Sequence, residues 1–245
     1  MRERLRSSLE TSLDRHELAR VRAERSWTAG QPLVSVRIAT YSAGTRIRRA
    51  LDSCLSQTYG NLEVVIVGDC CDDRTSAVIR EYESDARVRF ANLGRRGQYP
   101  PPGTEMWQVA GATPMNVASL LARGDWIAPC DDDDEFTADH VEVLLSHALE
   151  SGAEMIWSDA EMQQGDSSWT RTPGPPMRHG RISHGSVLFR SDLRFMALNR
   201  RSYLVNEPAD WNLWQRMARA GVLIEHVPHV TYRHFFNHGN GAPVL

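Results

Sequence analysis

Two periods of hydrophobic and polar positions alternate along this chain. After Pro32, Leu33-Val34-Ser35-Val36-Arg37-Ile38-Ala39 alternates with period two and predicts a strand, because successive side chains on extended backbone point to opposite faces. Ile47, Ala50, Leu51, Cys54 and Leu55 then recur at helical spacing and predict one buried helix face. Gly60-Asn61 reads as a turn, and Glu63-Val64-Val65-Ile66-Val67 as a near-continuous apolar strand, the pattern of a parallel sheet covered on both faces. A helix around 76–82 and a strand over 87–90 complete a β-α-β-α-β series. That alternation predicts an α/β fold with an open, mostly parallel sheet.

Residues 94–114 interrupt the rhythm with Gly94, Gly97, Pro100, Pro101, Pro102, Gly103, Gly111 and Pro114. They predict an ordered segment without regular structure, and loops of this length inside a compact domain are usually functional or disordered. A helix carrying Val117, Leu120 and Leu121 follows, then a stop at Gly124 and a strand over 126–130. Thr137 or Asp139 caps the next helix, whose core face is Val141, Leu144, Leu145, Ala148 and Leu149, and 153–157 reads as another strand. Beyond it, 161–176 reads as a polar hairpin and loop, 185–190 as a strand, and Pro208 opens a helix that ends at Gly221. Residues 227–245 are rich in histidine and show little apolar periodicity. The expected organisation is a helical extension over 1–31, one domain over 32–226 and a tail over 227–245. In the extension, Leu5, Leu9 and Leu13 make a thin stripe, read as a solvated helix or, alternatively, as a docking surface for a partner or an anionic membrane.

Composition narrows the class. Across 245 residues, 28 Lys and Arg against 31 Asp and Glu leave a net charge of −3, which gives no electrostatic case for nucleic acid. No apolar run approaches the roughly 20 residues that span a bilayer, and MRERLRSSLE lacks the apolar stretch of a secretory signal. Cys54 and Cys130 fall on apolar faces, Cys70 and Cys71 are adjacent, and no C-x-x-C pair occurs. A reducing, cytoplasmic location is the expectation.

The strongest chemical signal is Asp131-Asp132-Asp133-Asp134, directly after an apolar strand. On extended backbone Asp131 and Asp133 share a face roughly 7 Å apart, and repel by about 2 kcal/mol at an effective dielectric near 20. A cation offsets that charge; carboxylate oxygens suit Mg²⁺ or Mn²⁺, with phosphate oxygens completing the shell. Ligands of open α/β sheets bind beyond the carboxyl ends of strands, where this cluster sits. A solvated acidic loop is the bland alternative. An EF-hand is excluded, since Phe136 stands where that loop needs glycine and a strand precedes it. Asp69 ends the second strand and suits either a nucleoside hydrogen bond or a helix cap. Tyr41 suits a stacked base or the core. His234 and His238 are candidate metal ligands or ordinary surface histidines.

Several motifs stand in an order that resembles the family 2 glycosyltransferases. They are Val34-Ser35-Val36 to Ala39-Thr40-Tyr41-Ser42, Arg49-Ala50-Leu51-Asp52-Ser53, Ser56-Gln57-Thr58-Tyr59, and Glu63 to Asp69 followed by Asp73 and Thr75. Asn116-Val117-Ala118, Ala122 to Ala128, and the Asp131–Asp134 block with Glu135 and His140 continue the match, which spans about 33–150 and, more loosely, 181–221. The resemblance implies a GT-A fold whose aspartate-x-aspartate motif holds a donor pyrophosphate through Mn²⁺ or Mg²⁺. It implies that Tyr41 and Asp69 contact the base, with Thr40 and Asn116 also in the donor site. Asp131 and Asp132 would lie near the ribose, and Asp133 would be the metal ligand, with His234 as a further one. Asp210 in Ala209-Asp210-Trp211 takes the place of the catalytic base. The implied activity is inverting transfer from a nucleotide-diphosphate sugar to a glycan, lipid-linked or small-molecule hydroxyl, with peripheral membrane contact as an option. The chain departs from the pattern at Gly68, usually aspartate, and at Pro208-Ala209, usually acidic before the base. A sugar nucleotidyltransferase is the alternative enzyme, from Ala43-Gly44-Thr45-Arg46, and a catalytically silent nucleotide-sugar-binding module the alternative class.

Overall fold

The computed structural model describes residues 2–25, 30–71 and 74–236, with side chains from residue 10 onward. Asp73 and His238 therefore lie outside the described residues. Strands β1 (Val34–Thr40), β2 (Leu62–Gly68), β3 (Val88–Asn92) and β4 (Trp126–Asp131) pair in parallel in the order β3-β2-β1-β4. Every residue of β1 and β2 is buried, because helices cover both faces. One face packs Val34, Val36 and Ile38 against α2 (Ile47–Leu55) and α6 (His140–Ser151). The other packs Ile127, Trp157 and Phe189 against α7 (Ala209–Ala220), whose Leu213, Trp214 and Met217 form its buried stripe. α3 (Arg74–Arg80) follows β2.

Beyond β4 the sheet becomes mixed. β8 (Val187–Arg190) runs antiparallel to β4 and to β6 (Met155–Gln163), and β7 (Trp169–Arg171) folds back on β6 as the expected hairpin. β9 (Ile224–His234) lies parallel to β6 and antiparallel to the short β5 (Glu135–Phe136). The expected tail boundary at 226/227 thus cuts through a strand. Its periodicity is hidden because the β6–β9 register shifts between Ser158 and Asp159 and again between Asp159 and Ala160. Such bulges break the two-residue alternation by which strands are read.

The 94–114 segment also differs from expectation. α4 (Thr104–Val109) forms within it, and α5 (Ala112–Leu121) already begins at Ala112. Gly111, at φ 74, makes the left-handed turn between them. Pro114 sits in the first turn of α5, where its missing N–H leaves no intrahelical bond unmade.

Helix α1 (Arg2–Glu24) is docked over its described side chains, through Leu18 rather than Leu13; Leu5 and Leu9 of the expected stripe lie outside the described side chains. Leu13 is 69% exposed, whereas Leu18 is buried among residues of the α7 side. Charge completes the attachment. Arg216 binds Asp14 at 2.9 Å, and Arg22 Nε and Arg25 Nη1 each donate to Glu154 Oε1 at 2.8 Å. Glu154 is almost wholly buried and also accepts from Leu223 N at 3.0 Å. Burial raises the Glu154 pKa, but these partners outweigh it and hold it at about 2. Removing one member of such a buried network strands the others. Glu154→Ala is therefore expected to cost about 3 kcal/mol in urea unfolding; a loss below about 1 kcal/mol would reduce the network to an ordinary surface pair.

Candidate donor site at the carboxyl edge of the sheet

Parallel strands bring their carboxyl ends to one edge. The register Thr40↔Gly68 and Ala39↔Asp131 therefore aligns Thr40 and Tyr41 with Asp69 on one side and the Asp131–Asp134 run on the other. The four aspartates do not share one environment. Asp131 accepts from His184 Nδ1 at 2.9 Å and from the Tyr232 hydroxyl at 3.1 Å. Burial works against its carboxylate, but His184, His234 and Tyr232 outweigh it and hold the pKa at about 2. Asp134 is fully buried. It accepts from Phe235 N and His234 Nδ1, both at 2.8 Å, and from the Tyr232 hydroxyl, so it ties the end of β9 onto the acidic turn.

At Asp132 and Asp133 the balance goes the other way, toward the protonated form. Burial, with Asp131 adding to it, pushes Asp132 up to about 6, against the pull of the neighbouring Thr40 hydroxyl and Tyr41 backbone. Burial together with Asp134, Asp132 and Asp131 pushes Asp133 up to about 7. For His234, burial disfavours the charged ring, but Asp134, Asp131 and Asp133 raise it to about 9. Its Nδ1 is held by Asp134, the arrangement by which a carboxylate aims the other ring nitrogen at a metal. Among the described residues no three His, Cys, Asp or Glu side chains converge as a ready cage. Carboxylate oxygens crowded into one turn nevertheless suit Mg²⁺ or Mn²⁺, which keep several positions for water and phosphate.

The side that the resemblance assigns to a base is occupied by the chain itself. Asp69 is buried and accepts from Gly97 N at 2.8 Å and from the Tyr99 hydroxyl at 2.6 Å, with Arg96 Nε at 3.8 Å. Tyr41 is 45% exposed, hence no core residue, and the Arg96 guanidinium lies 3.7 Å from its ring centroid. A base would enter here only in exchange for these bonds. Gly68 has a structural reason: a Cβ there would stand 2.5 Å from Asn92 Oδ1. Asn92 accepts from Cys71 N at 2.9 Å and donates to Cys71 O at 2.7 Å, so it shapes the turn that carries Asp69. Asn116 is likewise committed, donating to Leu198 O at 3.0 Å and accepting from Leu198 N at 2.9 Å.

Asp210 lies in the first turn of α7, where Oδ1 accepts from Trp211 N at 2.7 Å. Both Asp210 and Asp131 act on buried Arg37, a residue that pattern reading passes over. Burial pulls its guanidinium down to about 10, against the attraction of both Asp131 and Asp210. Nη1 donates to Met115 O at 3.1 Å and Nη2 to His184 Nε2 at 3.2 Å. An arginine can only donate, so His184 Nε2 is the acceptor and Nδ1 carries the proton that meets Asp131. The one signal in the sequence was a lone charge in an otherwise uncharged strand; His184 and Tyr232 carried none.

The family model described as glycosyltransferase like family 2 matches residues 31–243. The succinoglycan biosynthesis protein ExoO of Rhizobium meliloti (strain 1021) is 31% identical over 172 residues, covering 67% of this chain and 45% of that protein. S. aureus TarS 1-349 in complex with UDP-GlcNAc is similar with a TM-score of 0.65 at 17% identity, over 86% of this chain and 61% of that one. Mannosyltransferase PcManGT from Pyrobaculum calidifontis, in complex with GDP-Man and Mn²⁺, is similar with a TM-score of 0.56 at 17% identity, over 96% of this chain and 66% of that one. At that identity these two structures bear on the fold, which is of the GT-A type. The chain spans less than half the length of ExoO.

Proposed function

Because the chain belongs to the glycosyltransferase like family 2, we propose that it moves a sugar from a nucleotide-diphosphate donor to an acceptor hydroxyl with inversion, using Mn²⁺ or Mg²⁺. The observation that carries this reading is the run of carboxyls Asp131–Asp134 at the carboxyl end of β4, aligned with Thr40 and Tyr41. Asp133 would hold the metal, with His234 as a further ligand; a bound divalent ion supplies charge to offset the departing diphosphate. Asp131 and Asp132 would bind the ribose beside Thr40. Tyr41 and Asp69 would take the base once Arg96, Gly97 and Tyr99 give way, and Asn116 would support the site through Leu198. The acceptor oxygen attacks the anomeric carbon, the bond from that carbon to the diphosphate oxygen breaks, and the hydroxyl proton passes to Asp210. The acceptor would be a glycan, a lipid-linked sugar or a small molecule. No helix among the described residues is long and apolar enough to cross a membrane, and we place the reaction in the cytoplasm.

Thermal unfolding with a panel of nucleoside diphosphates tests this reading. One base with Mn²⁺, at about 100 times its dissociation constant, is expected to add about 2.7 kcal/mol, or roughly 5–10 °C in Tm for a chain of this size. No metal-dependent shift with any nucleotide would overturn it.

Arg37 provides a finer check. Arg37→Met keeps a buried long side chain but frees His184 Nε2, so Asp131 loses its fixed donor. Stability is expected to fall by about 3 kcal/mol, because Met115 O and His184 Nε2 lose their buried donor, while metal-dependent nucleotide affinity of the folded variant falls about tenfold or more. Calorimetry showing wild-type affinity would make Arg37 a packing residue.

A further inference from the structure

Charge is segregated in the stretch that leads from β8 into α7. Residues 193–206 hold Arg194, Arg200 and Arg201 and no Asp or Glu, in a chain whose net charge is −3. Arg200 and Arg201 are exposed and have no acidic partner among the described residues. The single-turn 3-10 helix Ser202–Val205 follows at once and leaves Leu204 63% and Val205 52% exposed. α4 packs against this turn and presents Trp107, 36% exposed. Glu105 is the exposed acid on that helix.

These apolar side chains are held outward by a rigid frame. Gln108 Nε2 donates to Asn206 Oδ1 at 2.9 Å, joining α4 to the turn. Asn116 brackets Leu198 from both sides, and Arg216 Nη1 donates to Ala197 O at 3.1 Å. Leu204 and Val205 therefore cannot turn inward without breaking bonds that fix the segment.

We propose that this face docks on an anionic lipid bilayer. Leu204, Val205 and Trp107 enter the boundary between headgroups and acyl chains, where an amphipathic indole is favoured. Arg200 and Arg201 meet lipid phosphates in the field of the negatively charged leaflet. Charge disfavours a second copy of this chain as the occupant, because a self-paired face would set the two arginines of one copy against those of the other. The turn ends five residues before Asp210. Docking there would bring a hydroxyl carried at the lipid surface to the acceptor side, a consequence that rests on reading Asp210 as the base. The docking itself does not.

Co-sedimentation of the full chain with phosphatidylcholine vesicles, with and without phosphatidylglycerol, tests the proposal. Binding is expected only to the anionic vesicles and to weaken with salt. Arg200→Glu with Arg201→Glu, and separately Leu204→Ser with Val205→Ser, should each lower partitioning at least about tenfold. Both double variants should keep the nucleotide-dependent Tm shift, so a lost fold or a lost donor site is recognised separately. No binding to anionic vesicles overturns the proposal. Equal binding by wild type and both variants also overturns it, and assigns the contact to another surface such as α1.

Discussion

Asp133→Asn is expected to abolish metal-dependent binding of the donor diphosphate while raising the melting temperature of the metal-free protein. Both effects come from one cause. Burial and three neighbouring carboxylates lift the Asp133 carboxyl from its ordinary value of 3.8 to about 7. Its folded pKa thus lies above its unfolded one, and between about pH 4 and 7 the native state binds the extra proton. Stability consequently falls as pH rises through that window, and above it the folded protein carries the full repulsion. Asn removes that charge, so the variant should melt higher than wild type at pH 8 and converge with it near pH 4. The same carboxyl must lose its proton to ligate a cation. Wild-type Mn²⁺ affinity is therefore expected to fall about tenfold per pH unit below about 7, with proton release on binding. Calorimetry and thermal scans across pH check both arms. Retained Mn²⁺-dependent binding in the variant would place the ligand elsewhere in the acidic turn. A lower Tm at pH 8 would mean that the carboxylate is compensated in the fold.

Asp210→Asn should lower turnover by about 10²–10⁴, the usual contribution of a general base, with donor affinity close to wild type. The amide oxygen of Asn can still accept from Trp211 N as Asp210 Oδ1 does, and Asn caps helices as well as Asp. Stability should therefore change by less than about 1 kcal/mol. What the amide lacks is a basic oxygen for the acceptor proton. A fall in kcat without a fall in donor binding is the signature of an interaction made in the transition state alone. Near-normal turnover in the folded variant would leave Asp210 as a residue that orders the first turn of α7, and the base would have to be another carboxylate at this edge.

The parts of this protein that local periodicity encodes were legible without coordinates. Alternation in 33–39 and the apolar run 63–67 correspond to β1 and β2, and the helical spacings from Ile47, Val141 and Leu213 to the buried faces of α2, α6 and α7. Acid placed directly after a strand was legible as well, since four like charges in sequence remain close in any fold. α4 was missed because Gly103 and Gly111 bracket a helix of six residues, too short to show a period. β9 was missed because two register shifts scramble its alternation.

Local pattern says which side chains share a face, and nothing about which distant group will meet them. His184 lies 53 residues from Asp131, and Tyr232 lies 98 residues from Asp134. Such pairs exist only after β8 has been laid against β4 and β9 against β6 and β5. That closure decides that Asp131 stays ionised while Asp133 is pushed toward neutrality, and that Arg37 sets the proton on His184. The amino-acid sequence by itself determined the sheet edge and its acidic residues. Tertiary packing alone decided the charge each of them bears, because burial and long-range hydrogen bonds, rather than residue type, set the balance between charged and neutral forms.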